Sequence, residues 1–183
     1  MVAVALTATV YTIDLDLADH DRGVYDTLAL RLARHPSESE DYFVTRLLAY
    51  ALEYTSGIAF SDGGLSAPDE PAIVVRDLTG TVRSWIEVGW PDAPRLHKAA
   101  KAASRVVVYP HRDVGPWLRR LEGARMHRAE ATEVRAIDRS LIEGLAAHLD
   151  RRLAATITIA EQELFVAIGD QTLTGRIVGH ALA

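Results

Sequence analysis

The chain has 183 residues, 49% hydrophobic and 25% charged, values of an ordinary globular protein. It contains no cysteine, which excludes disulfides, thiolate zinc, iron–sulfur clusters and thiol nucleophiles and leaves oxygen, nitrogen and hard-metal chemistry. Taken whole, the formal net charge of -5 argues against a polyanionic partner.

Residues 2–17 and 24–32 alternate apolar and polar side chains around the polar turn Asp19-His20-Asp21-Arg22-Gly23 and predict an antiparallel hairpin. The apolar start at 2–6 has no basic segment and alternates with threonines, so it reads as strand rather than signal peptide. No run reaches the roughly 18 apolar residues of a membrane-spanning helix, and the expectation is a cytoplasmic protein with no membrane partner.

Over 38–54, Phe43, Leu47, Leu48, Ala51 and Leu52 recur at helical spacing, with Ser37 and Glu40 forming a capping-box pattern before them and Gly57 following. A Gly-rich segment at 61–66 leads to Pro68-Asp69-Glu70-Pro71. Two short apolar runs follow, 72–75 and 82–88, joined by the hairpin turn Asp77-Leu78-Thr79-Gly80. Pro91-Asp92 opens a helix to about residue 104, with Leu96, Ala99, Ala100 and Ala103 inward. A buried-looking strand at 105–109 and a short helix around 116–121 come next. The final third reads as a helix at 138–149 and strands at 154–159, 163–168 and 172–178. This order predicts one α/β or α+β domain with a mixed sheet flanked by helices.

The charge is unevenly distributed. Residues 1–94 sum to -9 and residues 129–183 to -3, whereas 95–128 sum to +7, with nine basic side chains against Asp113 and Glu122. Of the 20 basic residues 18 are arginine, and the only lysines, Lys98 and Lys101, both lie in this stretch. Alone, such a run is a solvated helix face; beside a site it is a surface for a polyanion.

Phosphate-loop, dinucleotide-binding, zincin and nucleophile-elbow motifs are absent, and none of the seven histidines has a close partner at zinc-site spacing. The informative pair is Asp69, entering the first run of the second hairpin, and Glu87 in Trp85-Ile86-Glu87-Val88-Gly89, leaving the other run. Adjacent strands put both carboxylates at one end of the hairpin, where they can share Mg²⁺, a hard cation that activates water and neutralises charge building at phosphorus. Pro-Asp followed 18 residues later by Glu-x-Gly is the spacing of the PD-(D/E)xK nucleases, except that Gly89 stands where those enzymes carry lysine. Lys98, one turn into the next helix with Arg95 at i−3 on the same side, is the first candidate to replace it, and Lys101 the second. Trp85 shares the strand face of Glu87, as core or as a surface for a base. Glu38 opens the long helix, where an acid also complements the helix dipole.

Together, Leu32-Ala33-Arg34-His35-Pro36-Ser37-Glu38, Arg46-Leu47-Leu48-Ala49-Tyr50, Asp69-Glu70-Pro71, Trp85-Ile86-Glu87-Val88-Gly89, Pro91-Asp92, Arg95 and Lys98-Ala99 resemble the bacterial YaeQ family over nearly the whole chain. The resemblance implies a restriction-endonuclease-like variant of the PD-(D/E)xK fold with additional N- and C-terminal antiparallel strands. It also implies Asp69 and Glu87 as metal-facing carboxylates, Lys98 as a relocated lysine and Glu38 as an additional acid.

Fold alone does not establish activity, so two expectations stand. In the first, the protein is a Mg²⁺- or Mn²⁺-dependent nucleic-acid phosphodiesterase. Asp69, Glu87 and the Val88 carbonyl hold the metal, Lys98 positions water or phosphate, and Arg95, Lys101 and the other basic residues of 95–128 bind the backbone. In the second, it is a catalytically inactive module of the same fold that binds nucleic acid or protein in a transcription-linked role, with Glu87 and Lys98 reduced to an ion pair.

Overall fold

The computed structural model describes residues 7–62 and 69–182. The expected strand start at 2–6, most of the Gly-rich segment and Pro68 lie outside the described residues.

Alternation sets the first two strands. In β1 (Thr9–Asp19) Tyr11, Ile13, Leu15 and Leu17 are buried while the residues between them are exposed, and all eleven positions pair antiparallel with β2 (Val24–Arg34). The next helix, α1 (Glu40–Leu52), starts two residues later than the sequence implies. Ser39, not Ser37, is the N-cap, its hydroxyl accepting from the Tyr42 N–H at 3.1 Å, while Ser37 turns to the His35 ring. Glu38 therefore precedes the helix rather than opening it.

After α1 come β3 (Ile58–Phe60), β4 (Ile73–Arg76), β5 (Val82–Val88), α2 (Ala93–Ala102), β6 (Arg105–Tyr109) and α3 (Val114–Leu121). The chain continues through β7 (Thr132–Ile137), α4 (Arg139–Ala147), β8 (Arg152–Ala160), β9 (Glu163–Ile168) and β10 (Gln171–His180). Two strands, β3 and β7, have no counterpart in the sequence-based reading. The first is only three residues long, and in the second Glu133 and Arg135 break the apolar signal because long-range ion pairs hold them.

Among the described residues all ten strands form one mixed sheet in the order β2-β1-β8-β9-β10-β7-β6-β5-β4-β3. Strand β10 joins its halves: Gln171–Arg176 pair with β9, and Ile177–His180 pair with β7. Strands β5, β6 and β7 run parallel, connected by α2 between the first two and by α3 and the following segment between the next two. The expected mixed sheet flanked by helices is thus present.

From Phe43 to Leu52 every residue of α1 is buried. One core surrounds it, drawing Ile13 and Leu15 from one half of the sheet and Ile73, Ile86 and Val107 from the other. On the opposite face of β5 and β6, Trp85, Val106 and Val108 pack with Leu96, Ala99 and Ala100 of α2 and Trp117 of α3. Strand alternation therefore directs Ile86 and Val88 toward α1, and Trp85 and Glu87 toward α2.

At the C-terminal end of α1 the Glu53 carboxylate is buried in a polar knot. It accepts from Arg105 (2.5 Å), Arg135 (3.0 Å) and the Tyr109 hydroxyl (2.5 Å), while Arg105 also pairs with Glu133 at 2.8 Å. Burial pushes the Glu53 pKa up, but the hydrogen bonds and charges of Arg105 and the other donors outweigh it and leave the carboxyl below its usual value. The knot ties α1 to β6 and β7.

Candidate functional site

The site is organised by the first turns of α2. Asp92 caps the helix, its carboxylate accepting from the Arg95 N–H at 2.9 Å, and Pro94 fits the first turn where no backbone donor is needed. That start fixes Arg95 in the first turn and Lys98 one turn on, both facing the β4–β5 hairpin. Arg95 Nε donates to Glu87 Oε1 at 2.7 Å and its Nη2 to the Glu70 carbonyl at 2.6 Å. Lys98 Nζ pairs with Asp69 Oδ1.

Asp69, Glu87, Arg95 and Lys98 thus gather on one side of the hairpin, in two ion pairs of different character. Glu87 has a side chain only 3% exposed, and burial raises its pKa more than Trp85 and Arg95 lower it. Asp69 is 80% exposed, and the Lys98 hydrogen bond and charge hold its pKa below the usual value. Trp85 is buried and gives its Nε1–H to Glu87 Oε1 at 2.6 Å. It steadies the carboxylate and leaves no open face on which a base could stack. Lys101 is exposed in the last turn of α2.

Gly89 explains why no lysine follows Glu87 on the strand. Its φ is +101°, and a Cβ there would lie 3.2 Å from Tyr42 Cε2 and 3.5 Å from His111 Nδ1. The aromatic ring and the imidazole occupy the space into which a strand lysine would project. Gly89→Ala is expected to lower stability by about 1–3 kcal/mol, read from urea denaturation, because it combines a strained backbone with a close contact; a wild-type midpoint would show that the turn can relax.

Residues Tyr42, Glu87, Val88, Trp90, Arg95 and His111 line a cavity of about 260 Å³ against this cluster. Trp90 Nε1 and His111 Nδ1 are buried without a hydrogen-bond partner among the described residues. Burial, with Arg112 and Arg139 nearby, lowers the His111 pKa to about 4, so the imidazole is neutral at neutral pH.

Glu38 sits in a different cavity of about 300 Å³, lined also by Arg31, His35, Arg46, Phe60 and Asp62. Its buried carboxylate lies 2.9 Å from Arg46 Nη2 and accepts from the His35 N–H at 3.1 Å, and burial raises its pKa despite the Arg46 charge. Tyr42 lies within electrostatic reach of both Glu38 and Glu87.

The basic stretch divides among several roles. Arg95 serves Glu87, Arg105 is part of the Glu53 knot, and Arg128 reaches the Ser104 carbonyl at 3.4 Å. Arg112, Arg119, Arg120 and Arg125 are exposed. Tyr42, Trp90 and His111 belong to none of the motifs that mark candidates in the sequence. The last two lie two residues beyond the ends of β5 and β6, and the signal that points to them is the rule that parallel sheets carry ligands at the carboxyl ends of their strands.

Comparison with known proteins matches the same frame. The family model described as YaeQ protein matches residues 4–177. An uncharacterised YaeQ protein of Salmonella typhi is 40% identical over 107 residues, covering 58% of this chain and 59% of that protein, and one of Escherichia coli K12 is 38% identical over the same length. The alignment therefore spans somewhat over half of those relatives. The crystal structure of YaeQ protein from Xanthomonas axonopodis pv. citri superposes with a TM-score of 0.86 at 32% identity, covering 97% of this chain and 100% of that one. YaeQ protein from Pseudomonas syringae gives 0.83, also at 32%, covering 94% and 95%. With a matching family model over most of its length and nearly the full fold shared at this level, the chain belongs to the YaeQ family.

Proposed function

We propose that the protein is a Mg²⁺- or Mn²⁺-dependent phosphodiesterase acting on nucleic acid, built on a PD-(D/E)xK-like core. The observation that carries this reading is the pairing of Asp69 with Lys98 and Glu87 with Arg95 on one side of the β4–β5 hairpin. The antiparallel β4–β5 hairpin, the α2 crossover and the parallel β6 support such a core.

The donor set fits a hard cation. Asp69 and Glu87 supply carboxylate oxygens and Val88 a neighbouring carbonyl, and Mg²⁺ commonly takes one or two carboxylates together with waters and substrate phosphate. Among the described residues no three His, Asp or Glu side chains gather into a metal-binding group, so water and phosphate would complete the coordination. When bound, the ion supplies water activation and charge neutralisation at phosphorus.

The protein's own residues do the rest. Lys98, on an exposed side chain, can exchange Asp69 for a phosphate oxygen or hold the attacking water. Arg95 and Trp85 fix the buried Glu87 in one orientation, and Arg95 leaves the cluster less negative as a phosphate approaches.

Cleavage of a labelled oligonucleotide should require Mg²⁺ or Mn²⁺ and disappear in Asp69→Asn and Glu87→Gln, both of which keep hydrogen-bond acceptors in place. Activity surviving both changes in pure protein would overturn the proposal.

A second reading, a non-catalytic binding module, draws on the fact that each acid already carries a protein cation. The pairing differs from the expected Glu87–Lys98 contact: Glu87 takes Arg95, and Lys98 takes Asp69. Calorimetry separates the two readings, since the module binds neither Mg²⁺ nor Mn²⁺ in the presence of a non-cleavable oligonucleotide.

A further inference from the structure

The three parallel strands β5, β6 and β7 end side by side, and the residues just beyond each strand line a cavity. Gly89-Trp90 succeeds β5, His111-Arg112 lies just past β6, and Asp138-Arg139 succeeds β7. The 260 Å³ chamber at Glu87 and a second chamber of about 410 Å³ both include His111 in their walls. The second chamber is lined by the apolar side chains of Val114, Ile137, Ile142 and Val178 and by Arg112 and His180. Crevices outside the carboxyl ends of parallel strands are where open α/β sheets hold their ligands.

The two chambers differ in chemistry. The smaller one is walled by Arg95, Trp90 and His111, with the Arg95 guanidinium as its cation. The larger chamber offers apolar walls and a polar rim, which suits a flat heterocycle with polar edges. Asp113 and Asp138 also reach its rim, but both carboxylates accept backbone N–H groups, from Gly115 at 3.1 Å and Arg176 at 2.8 Å.

We infer that the carboxyl ends of β5, β6 and β7 form a single nucleotide-binding groove, with the phosphate in the chamber at Trp90 and Arg95, an unstacked base in the chamber at Val178, and His111 between them. The inference rests on the proposal that the substrate is a phosphodiester and specifies its form: a single strand, whose base is free to leave the stack, rather than a duplex. A paired base would have to be pulled from its helix to enter the larger chamber.

The test is binding in EDTA, which is independent of cleavage. A fluorescein-labelled ten-residue oligothymidine is titrated by anisotropy alone and after annealing to its complement. The single strand should bind at least tenfold more tightly than the duplex. Val178→Trp, which fills the larger chamber from a position 47% exposed, should weaken single-strand binding about tenfold or more, and Arg112→Glu should weaken it as well. Thermal melting of both variants confirms folding, and the His111 ring resonances should shift when oligothymidine is added to wild type. Equal binding of single strand and duplex, no binding by wild type, or wild-type binding by both folded variants would overturn the groove. Loss of metal-dependent cleavage with these binding results intact would overturn only the catalytic proposal.

Discussion

Lys98→Ala is expected to reduce metal-dependent phosphodiester cleavage by about 100- to 10,000-fold, the range seen when a positioned proton-handling or charge-stabilising group is removed. The change should leave the melting temperature within error of wild type, because the Asp69–Lys98 pair is exposed on both sides and water replaces either partner. Steady-state kinetics should place the loss mainly in kcat, since Lys98 is one cation among several that could hold the substrate backbone. Lys98→Arg should recover little of the rate: a planar guanidinium cannot present the compact, three-donor charge of an ammonium at the same point. Lys101→Ala, one turn nearer the helix end, should raise KM modestly and leave kcat near wild type. If Lys98→Ala cleaves at the wild-type rate, the relocated-lysine assignment fails, and the only other lysine in the chain becomes the candidate.

The elements that build this site were those written most locally in the sequence. Asp92 and Pro94 mark the start of α2, the Asp77–Gly80 turn marks the β4–β5 hairpin, and the apolar run at 105–109 is β6 to the residue. Together they suffice to place Asp69, Glu87 and the start of α2 on one side of the hairpin. The partners were less legible, because an ion pair depends on distances between elements rather than on spacing within one. Glu87 selects Arg95 rather than Lys98 because the helix start, set by the Asp92 cap, brings the Arg95 guanidinium over the buried carboxylate. Strand β7 is illegible in the sequence for a related reason. Its Arg135 finds its counter-charge on Glu53, 82 residues earlier in the chain, so the strand looks polar in sequence although it lies within the sheet. Without β7 the parallel trio is incomplete, and the groove at its carboxyl end cannot be inferred.

The largest stability effect is expected at that same long-range knot. Glu53→Ala should destabilise the fold by about 3–5 kcal/mol, measured by urea denaturation, because it leaves Arg135 and the buried Tyr109 hydroxyl without their shared acceptor. Glu53→Gln keeps an acceptor and isolates the charge, and its signature lies in the pH dependence. The folded pKa of Glu53 is lowered from 4.5, so on acidification the unfolded chain takes up a proton before the folded one. Its contribution is complete above the unfolded value and is lost as pH falls through the folded one. Glu38 behaves oppositely: its folded pKa is raised, so the folded state protonates first and gains stability as pH falls through that raised value. Denaturation midpoints followed from pH 7 into the acid range should therefore fall less steeply than wild type in Glu53→Gln and more steeply in Glu38→Gln. Parallel profiles for the two variants would mean that the acid sensitivity of the fold lies elsewhere. The opposite slopes follow from one difference in surroundings: three donors converge on Glu53, whereas Glu38 has one arginine and one backbone N–H against nearly complete burial.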